Sequence, residues 1–247
     1  MNTAIRDMSF QSGDALVPAR LFTPGDAPRP GVILVHGGPR AGLTYAAPYE
    51  PIAHGLVQSG FAAIMVTYRA DRHDDDWRDV VNAAAFIRDL PEIKDGQLAV
   101  FGHSRGGFAT LRAAAESDDI TAAAVFDCSL DLAYQADALH AYAEIWYGSQ
   151  IQMLGGVPAE SPDRFLNAFE LVGRISQPLL MMQGTNDMLA APDYAGRFCA
   201  ALTAAGNERV ELRYMAGLGH YMERGFEGYR FEELVAPMSN WLHRTLA

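Results

Sequence analysis

The sequence predicts an α/β domain in which a mostly parallel sheet carries helices on both faces. Short apolar runs alternate with longer segments of helical spacing along most of the chain, which is the pattern of repeated strand and helix units. Of the 247 residues, 49% are hydrophobic, which is enough to build a large buried core. We therefore expect residues 1–247 to form one domain.

The order of the elements follows from the same pattern. Two segments at the N-terminus, 3–10 and 15–22, are separated by turn residues and predict an antiparallel hairpin at one edge of the sheet. Residues 130–176 interrupt the alternation with aromatic-rich helical pieces, so we expect a small helical insertion after the sixth strand, a candidate lid. The remaining strands are predicted at 31–35, 61–67, 97–101, 122–126, 178–183 and 209–215, and the helices at 48–59, 77–90, 106–116, 190–205 and 226–246.

Composition and charge exclude several classes of partner. A net charge of -11 and the lack of a Lys/Arg cluster argue against nucleic acid and anionic membranes, since both would be repelled. The first ten residues have no apolar core of a secretory signal, and no stretch has the length of a membrane span, so we expect a cytoplasmic protein. The oligomeric state stays open, a homodimer included.

Neither a cofactor nor a metal is expected. The single lysine, Lys94, lies in a polar turn, where neither a Schiff base nor a P-loop would place it. Cys128 and Cys199 lack the spacing of a zinc site and are predicted to be buried thiols. The acidic run at 71–79 could bind a divalent cation, but acidic residues also stabilise the start of a helix, which is the interpretation we favour.

The strongest local motif is G-x-S-x-G, formed by Gly102, Ser104 and Gly106. An apolar strand is predicted directly before it and an alanine-rich helix directly after it. In that context the glycines allow a sharp strand-to-helix turn that lifts the serine hydroxyl out of the sheet. Ser104 is therefore the predicted nucleophile.

A serine nucleophile needs a base and an acid. His220 lies in a glycine-flanked loop after the last predicted strand, at the same edge of the sheet as Ser104, and is the candidate base. Asp187 follows the strand at 178–183 and is the candidate acid, with Asp127 at the end of the preceding strand as the alternative. His103, next to the nucleophile, is expected to brace a loop.

The oxyanion of an acyl-transfer intermediate needs hydrogen-bond donors. The backbone N–H of Arg105, directly after the nucleophile, is one candidate. The second is expected in the loop HGGP, where Pro39 has no N–H, so Gly38 is the first choice and Gly37 the second.

Taken together, these residues resemble the prolyl-oligopeptidase-like branch of the α/β-hydrolases, which includes acylaminoacyl peptidases and related esterases. The resemblance implies the α/β-hydrolase fold and the same catalytic and oxyanion residues. Compared with this family, we expect no N-terminal propeller, which would favour a small ester, and Arg105 lies where a tyrosine is common. The motifs that carry the resemblance are HGGP at 36–39, VTYR at 66–69, GHSRGG at 102–107, GGVPAESPDRF at 155–165, PLLMMQGTND at 178–187 and GLGH at 217–220.

The function predicted from the sequence is hydrolysis of a small-molecule carboxylic ester through an acyl-enzyme. The alternatives are cleavage of an amide substrate, as by an aminopeptidase or acylaminoacyl hydrolase, and a non-catalytic protein that binds a ligand in the same fold. Aromatic and sulfur-containing side chains of the insertion are equally compatible with core packing and with a pocket wall above Ser104. These candidate pocket residues are Tyr142, Trp146, Tyr147 and Met153.

Overall fold

The structure, a computed structural model, describes residues 3–38, 46–69, 76–131, 167–223, 228 and 230–246. Within these residues one eight-stranded sheet has the order β1-β2-β4-β3-β5-β6-β7-β8. The pairs β1–β2 and β2–β4 are antiparallel and all the others are parallel. The mostly parallel sheet with an N-terminal edge hairpin is thus confirmed. The strands are β1 (Ala4–Ser12), β2 (Ala15–Thr23), β3 (Arg29–Val35), β4 (Ala62–Val66), β5 (Ile93–His103), β6 (Ala122–Phe126), β7 (Leu179–Gly184) and β8 (Val210–Met215).

Helices cover both faces of this sheet, as predicted. One hydrophobic cluster joins α2, α3 and α4 to one face through side chains such as Val80, Leu111 and Phe198. The other cluster joins α1 and α5 to the opposite face through Leu56 and Trp241. Every residue of β4, β6 and β7 is buried, because parallel strands between two helical layers meet no solvent. The helices are α1 (Glu50–Gln58), α2 (Asp76–Ile87), α3 (Arg105–Glu116), α4 (Pro192–Ala204) and α5 (Val235–Thr245).

The last helix begins later than the sequence pattern predicted. Residues Phe231–Leu234 form a 3-10 turn, and α5 starts at Val235 instead of residue 226. Pro237 explains the difference, because proline is tolerated in the first turn of a helix but breaks its interior. A start at 226 would have placed this proline in the middle of the helix.

The predicted insertion falls largely outside the described residues. At its boundaries Asp131 and Asn167 form an isolated antiparallel bridge, and Ala168–Leu171 form a short 3-10 helix. Among the described helices, none has both the length and the apolar character needed to cross a membrane.

Candidate active site

The candidate nucleophile lies on a strained turn. Ser104 follows the last residue of β5 and precedes the first of α3, with φ 53° and ψ -122°. A non-glycine residue in this region costs about 1–3 kcal/mol, which the surrounding packing must supply. A Cβ on Gly102 would lie 2.2 Å from the Gly106 carbonyl oxygen, and one on Gly106 would lie 2.2 Å from the His36 carbonyl oxygen. The two glycines are needed because strand, turn and helix pack here backbone against backbone.

Ser104, His220 and Asp187 are connected by hydrogen bonds. His220 Nε2 lies 2.8 Å from Ser104 Oγ, and His220 Nδ1 lies 2.9 Å from Asp187 Oδ2. The loops that carry them follow β5, β7 and β8, whose carboxyl ends share one edge of the sheet. Histidine and aspartate are buried, whereas Ser104 is half-buried. Ser104 is thus the most exposed of the three residues.

The loop after β7 orients the Asp187 carboxylate. Its Oδ1 accepts hydrogen bonds from the backbone N–H groups of Leu189 at 2.7 Å and Ala190 at 2.8 Å. Its Oδ2 is therefore directed at His220. A carboxylate can only accept, so His220 Nδ1 donates to it, and the unprotonated Nε2 accepts from the Ser104 hydroxyl. This is the histidine tautomer that a general base requires.

Asp127, the alternative acid, has other partners. Its Oδ1 accepts from the backbone N–H of Gly184 at 2.7 Å and from the side-chain amide of Gln183 at 2.8 Å. Burial, and after it the charge of Asp187, raises the pKa of Asp127 well above its usual range. Asp187 rather than Asp127 is therefore the carboxylate hydrogen-bonded to His220.

One group of side chains among the described residues has the spacing of metal ligands. Single ligand atoms of Asp127, Asp187 and His220 all lie within 4.8 Å of one another. Asp187 and His220 are already hydrogen-bonded to each other, however, and His220 is also hydrogen-bonded to Ser104. We therefore assign Asp187 and His220 to the hydrogen-bond chain, and Asp127 to its bonds with Gln183 and Gly184, and propose no metal here. Cys128 and Cys199 are free, buried thiols.

The start of the loop after β3 contacts the candidate nucleophile, Ser104. A Cβ on Gly37 would lie 3.1 Å from Ser104 Cβ, so Gly37 packs directly against this serine. The Gly37 N–H donates to the Tyr49 hydroxyl at 2.9 Å. This N–H, the second choice for an oxyanion donor, is therefore already occupied. Gly38, at φ 85°, occupies the left-handed region that favours glycine and remains the loop candidate. Arg105, the first residue of α3, presents the other candidate N–H at a helix N-terminus.

The Arg105 side chain has a structural partner. Its Nη2 lies 2.9 Å from Asp76 Oδ2, and Asp76 is buried. Asp79 is buried too and pairs with Arg69 at 2.8 Å. The described acidic residues of the run at 71–79 therefore bind arginines.

The candidate site differs from the sequence prediction in two respects: some predicted residues lie outside the described part of the chain, and two contacting residues were not predicted. The four candidate pocket residues at 142, 146, 147 and 153 lie outside the described residues. Sequence reasoning missed Gln183, which contacts both Asp127 and Asp187, although a glutamine within the apolar run of β7 was a usable signal. It also missed Tyr49, which contacts the loop from twelve residues further along the chain and has no local signal.

This sheet order, with a serine on a strained turn after β5, defines the α/β-hydrolase fold. Within that class the chain belongs to the prolyl oligopeptidase family, whose family model matches residues 65–247. The resemblance inferred from the motifs is thus confirmed.

Known proteins with similar sequences or structures include peptidases and esterases. A dipeptidyl peptidase family member 6 from Caenorhabditis elegans is 23% identical in an alignment that covers 71% of this chain and 26% of that protein. Dipeptidyl aminopeptidase BIII from Pseudoxanthomonas mexicana is 25% identical over 66% of this chain and 26% of its own. The chain thus spans about a quarter of the length of these curated relatives.

Solved structures show the same fold at low identity. An esterase from Pyrococcus furiosus superposes with a TM-score of 0.80 at 18% identity, covering 99% of this chain and 92% of the esterase. An acylaminoacyl peptidase from Pyrococcus horikoshii superposes with a TM-score of 0.76 at 19% identity, covering 100% of this chain and 42% of the peptidase.

Proposed function

We propose that this protein is a serine hydrolase that cleaves a small carboxylic ester through an acyl-enzyme intermediate. The observation that carries the proposal is the unbroken hydrogen-bond chain from Asp187 through His220 to the half-buried Ser104 hydroxyl. Ser104 attacks the substrate carbonyl while His220 Nε2 takes its proton, and Asp187 stabilises the imidazolium that forms. The proton then passes from His220 to the leaving alcohol, and water repeats the cycle on the acyl-enzyme.

In this proposal two backbone N–H groups stabilise the oxyanion. Arg105 contributes the N–H at the start of α3, where the helix dipole also favours negative charge. Gly38 contributes the second N–H, next to Gly37, which packs against Ser104. The Tyr68 hydroxyl supports this loop by donating to the carbonyl oxygens of His36 at 3.0 Å and of Gly38 at 3.3 Å.

Amide cleavage is the second candidate, and the family match and several similar proteins support it. The family model and both curated relatives are those of peptidases, and the Pyrococcus horikoshii structure is an acylaminoacyl peptidase. Ester cleavage is supported by the Pyrococcus furiosus esterase, which this chain matches over nearly the full length of both proteins. The two activities use the same nucleophile and base and differ in the leaving group that the base must protonate.

Three measurements test the proposal. A fluorophosphonate probe should add its mass at Ser104 of the folded protein, and the Ser104→Ala variant should lose at least about 10³-fold in turnover. Wild-type protein that is folded but unlabelled would instead favour a non-catalytic binding protein. A panel of short p-nitrophenyl esters and aminoacyl p-nitroanilides then separates the two activities, since faster turnover of the anilides would replace the esterase assignment by a peptidase.

A further inference from the structure

His103 is a buried imidazole beside the nucleophile that the proposed reaction does not use. It is 1% exposed, and its ring stacks on Phe126 with centroids 5.6 Å apart. Both ring nitrogens are close to polar atoms: Nε2 lies 2.7 Å from the His220 carbonyl oxygen, and Nδ1 lies 2.6 Å from the Tyr49 hydroxyl. The ring therefore lies between two segments that are distant in sequence.

The direction of each hydrogen bond follows from the chemistry of the partners. A carbonyl oxygen can only accept, so the proton of His103 must be on Nε2. Burial, and after it the proximity of His220, lowers the pKa of His103 to about 3, so the ring is neutral near pH 7 and carries that one proton. Nδ1 is then an acceptor, and the Tyr49 hydroxyl donates to it.

Tyr49 links His103 to the loop after β3 through two hydrogen bonds. The Tyr49 oxygen accepts the Gly37 N–H at 2.9 Å while its hydroxyl proton is donated to His103. The Tyr49 ring is held by stacking on Phe231, with centroids 4.8 Å apart. Three hydrogen bonds thus run in one direction, from the Gly37 N–H to the His220 carbonyl, and bonds so aligned strengthen one another.

Both ends of this hydrogen-bonded series lie next to Ser104. One end is the backbone of His220, whose ring reaches Ser104 Oγ. The other end is the loop of Gly37 and Gly38. Gly37 also packs closely on the middle of the connection, since a Cβ there would lie 3.0 Å from His103 Nδ1.

We propose that Tyr49 and His103 are positioning residues, forming a hydrogen-bonded bridge that sets the spacing between the His220 loop and the loop of Gly37 and Gly38. The proposal rests on the proposed function, because that spacing matters only if His220 is the base and the loop supplies an oxyanion donor. Both residues are buried, so the bridge acts through the two segments that it joins. Its effect is to hold base and donor in one geometry around Ser104, on which acyl transfer depends steeply.

The first test compares two conservative tyrosine variants. Tyr49→Phe keeps the ring on Phe231 and removes only the hydroxyl, so we expect kcat for a short p-nitrophenyl ester to fall ~10–100-fold while KM changes less than about threefold. Tyr214→Phe is the matched control: its hydroxyl makes one long contact of 3.4 Å to the Pro192 carbonyl, and its side chain is half exposed. Its kcat should stay within about twofold of wild type.

A double-mutant cycle tests whether the two residues act as a unit. His103→Phe preserves a ring on Phe126 and removes both nitrogens. If the bridge is one device, adding Tyr49→Phe to His103→Phe should change kcat by less than about twofold, because the connection is already broken. If the loss of kcat in the double variant equals the product of the two single losses, Tyr49 and His103 contribute independently and the proposed bridge is wrong.

The tautomer of His103 can be determined by NMR, independently of any enzyme assay. A long-range ¹H–¹⁵N spectrum separates protonated from unprotonated ring nitrogens, and the His103 signals are those missing from His103→Phe. Protonated Nε2 with unprotonated Nδ1 supports the bridge, and a protonated Nδ1 at pH 7 refutes it.

Failure of the bridge is distinguishable from failure of the proposed function. If the wild type does not react with fluorophosphonate, the proposed hydrolysis is wrong, whatever the spectrum shows. If the wild type reacts and Tyr49→Phe has the same kcat and labelling rate, the hydrolysis stands and the positioning role is wrong. A lower melting temperature with unchanged kcat also overturns it, since that is the signature of a purely structural contact.

Discussion

Two neighbouring aspartates give the sharpest test of the proposed site. Asp127 and Asp187 follow adjacent parallel strands, and both lie within 4.8 Å of His220. The Asp→Asn substitution is isosteric at each position, so the pair compares the same chemical change at two places. Of these two aspartates, only Asp187 is hydrogen-bonded to the His220 ring.

The expected magnitude for Asp187→Asn follows from its contacts. The amide oxygen should keep the two backbone donors of the loop, at 2.7 and 2.8 Å, which turns the NH₂ group towards His220 Nδ1. To accept from that group, His220 must move its proton to Nε2, where it can no longer accept from Ser104. This tautomer change in another serine hydrolase costs about 10⁴-fold in kcat, or about 5.4 kcal/mol of transition-state stabilisation. We expect a loss of ~10³–10⁴-fold here.

Asp127→Asn should be nearly neutral for catalysis. An asparagine oxygen can accept from the Gly184 N–H and from Gln183 as the carboxyl oxygen does, and its NH₂ group replaces an acid whose raised pKa favours the neutral form. We expect kcat within about threefold of wild type.

The assay is steady-state hydrolysis of a short p-nitrophenyl ester at pH 7.5, together with the rate of fluorophosphonate labelling at Ser104. Circular dichroism establishes that both variants are folded. Equal losses in the two variants, or a larger loss in Asp127→Asn, would refute the assignment of Asp187 as the partner of the base.

Three further predictions concern stability. Gly106→Ala places a Cβ 2.2 Å from a backbone oxygen and should lower the free energy of unfolding by about 1–3 kcal/mol or more, measured by urea denaturation. Arg69→Met leaves the buried Asp79 carboxylate without this cation and should cost about 3–5 kcal/mol in the same assay. Folding lowers the pKa of His103 and so favours its neutral form. The contribution of this residue to the free energy of unfolding is therefore complete above pH 6.5 and is lost as the pH falls towards 3. In His103→Phe the slope of unfolding free energy against pH should therefore be smaller by up to about 1.4 kcal/mol per unit in this window.

Matched controls decide these three outcomes. Gly173→Ala meets nothing within 4 Å and should change stability by less than about 1 kcal/mol, so equal effects at Gly106 and Gly173 would contradict the packing argument. Arg6→Met removes a pair in which the arginine is more than half exposed and should cost under about 1 kcal/mol, so a cost similar to that of Arg69→Met would contradict the burial argument. An unchanged pH slope in His103→Phe would show that the imidazole titrates normally in the folded protein.

Much of the fold could be predicted from the sequence because its signals are local. Apolar runs marked the buried strands, and helical spacing marked most helices to within a few residues. The predicted start of α5 at residue 226 was wrong. The helical spacing of apolar residues continues upstream of Val235, but Pro237 requires the helix to begin near Val235. The pairing of β2 with β4 was not predicted either, because it joins strands that β3 separates in the chain.

The sequence by itself determined which side chains reach the carboxyl edge of the sheet, among them Ser104, Asp187 and His220. Residue order is sufficient for this, because parallel strands deliver the loops that follow them to one edge. Only the tertiary structure decided which of these groups touch. Asp127 and Asp187 follow adjacent strands and are equivalent in sequence terms, and the Gly37 amide is occupied by a tyrosine twelve residues away. Hydrogen bonding depends on tenths of an ångström and on direction, and these are set by the packing of the whole sheet and its helices.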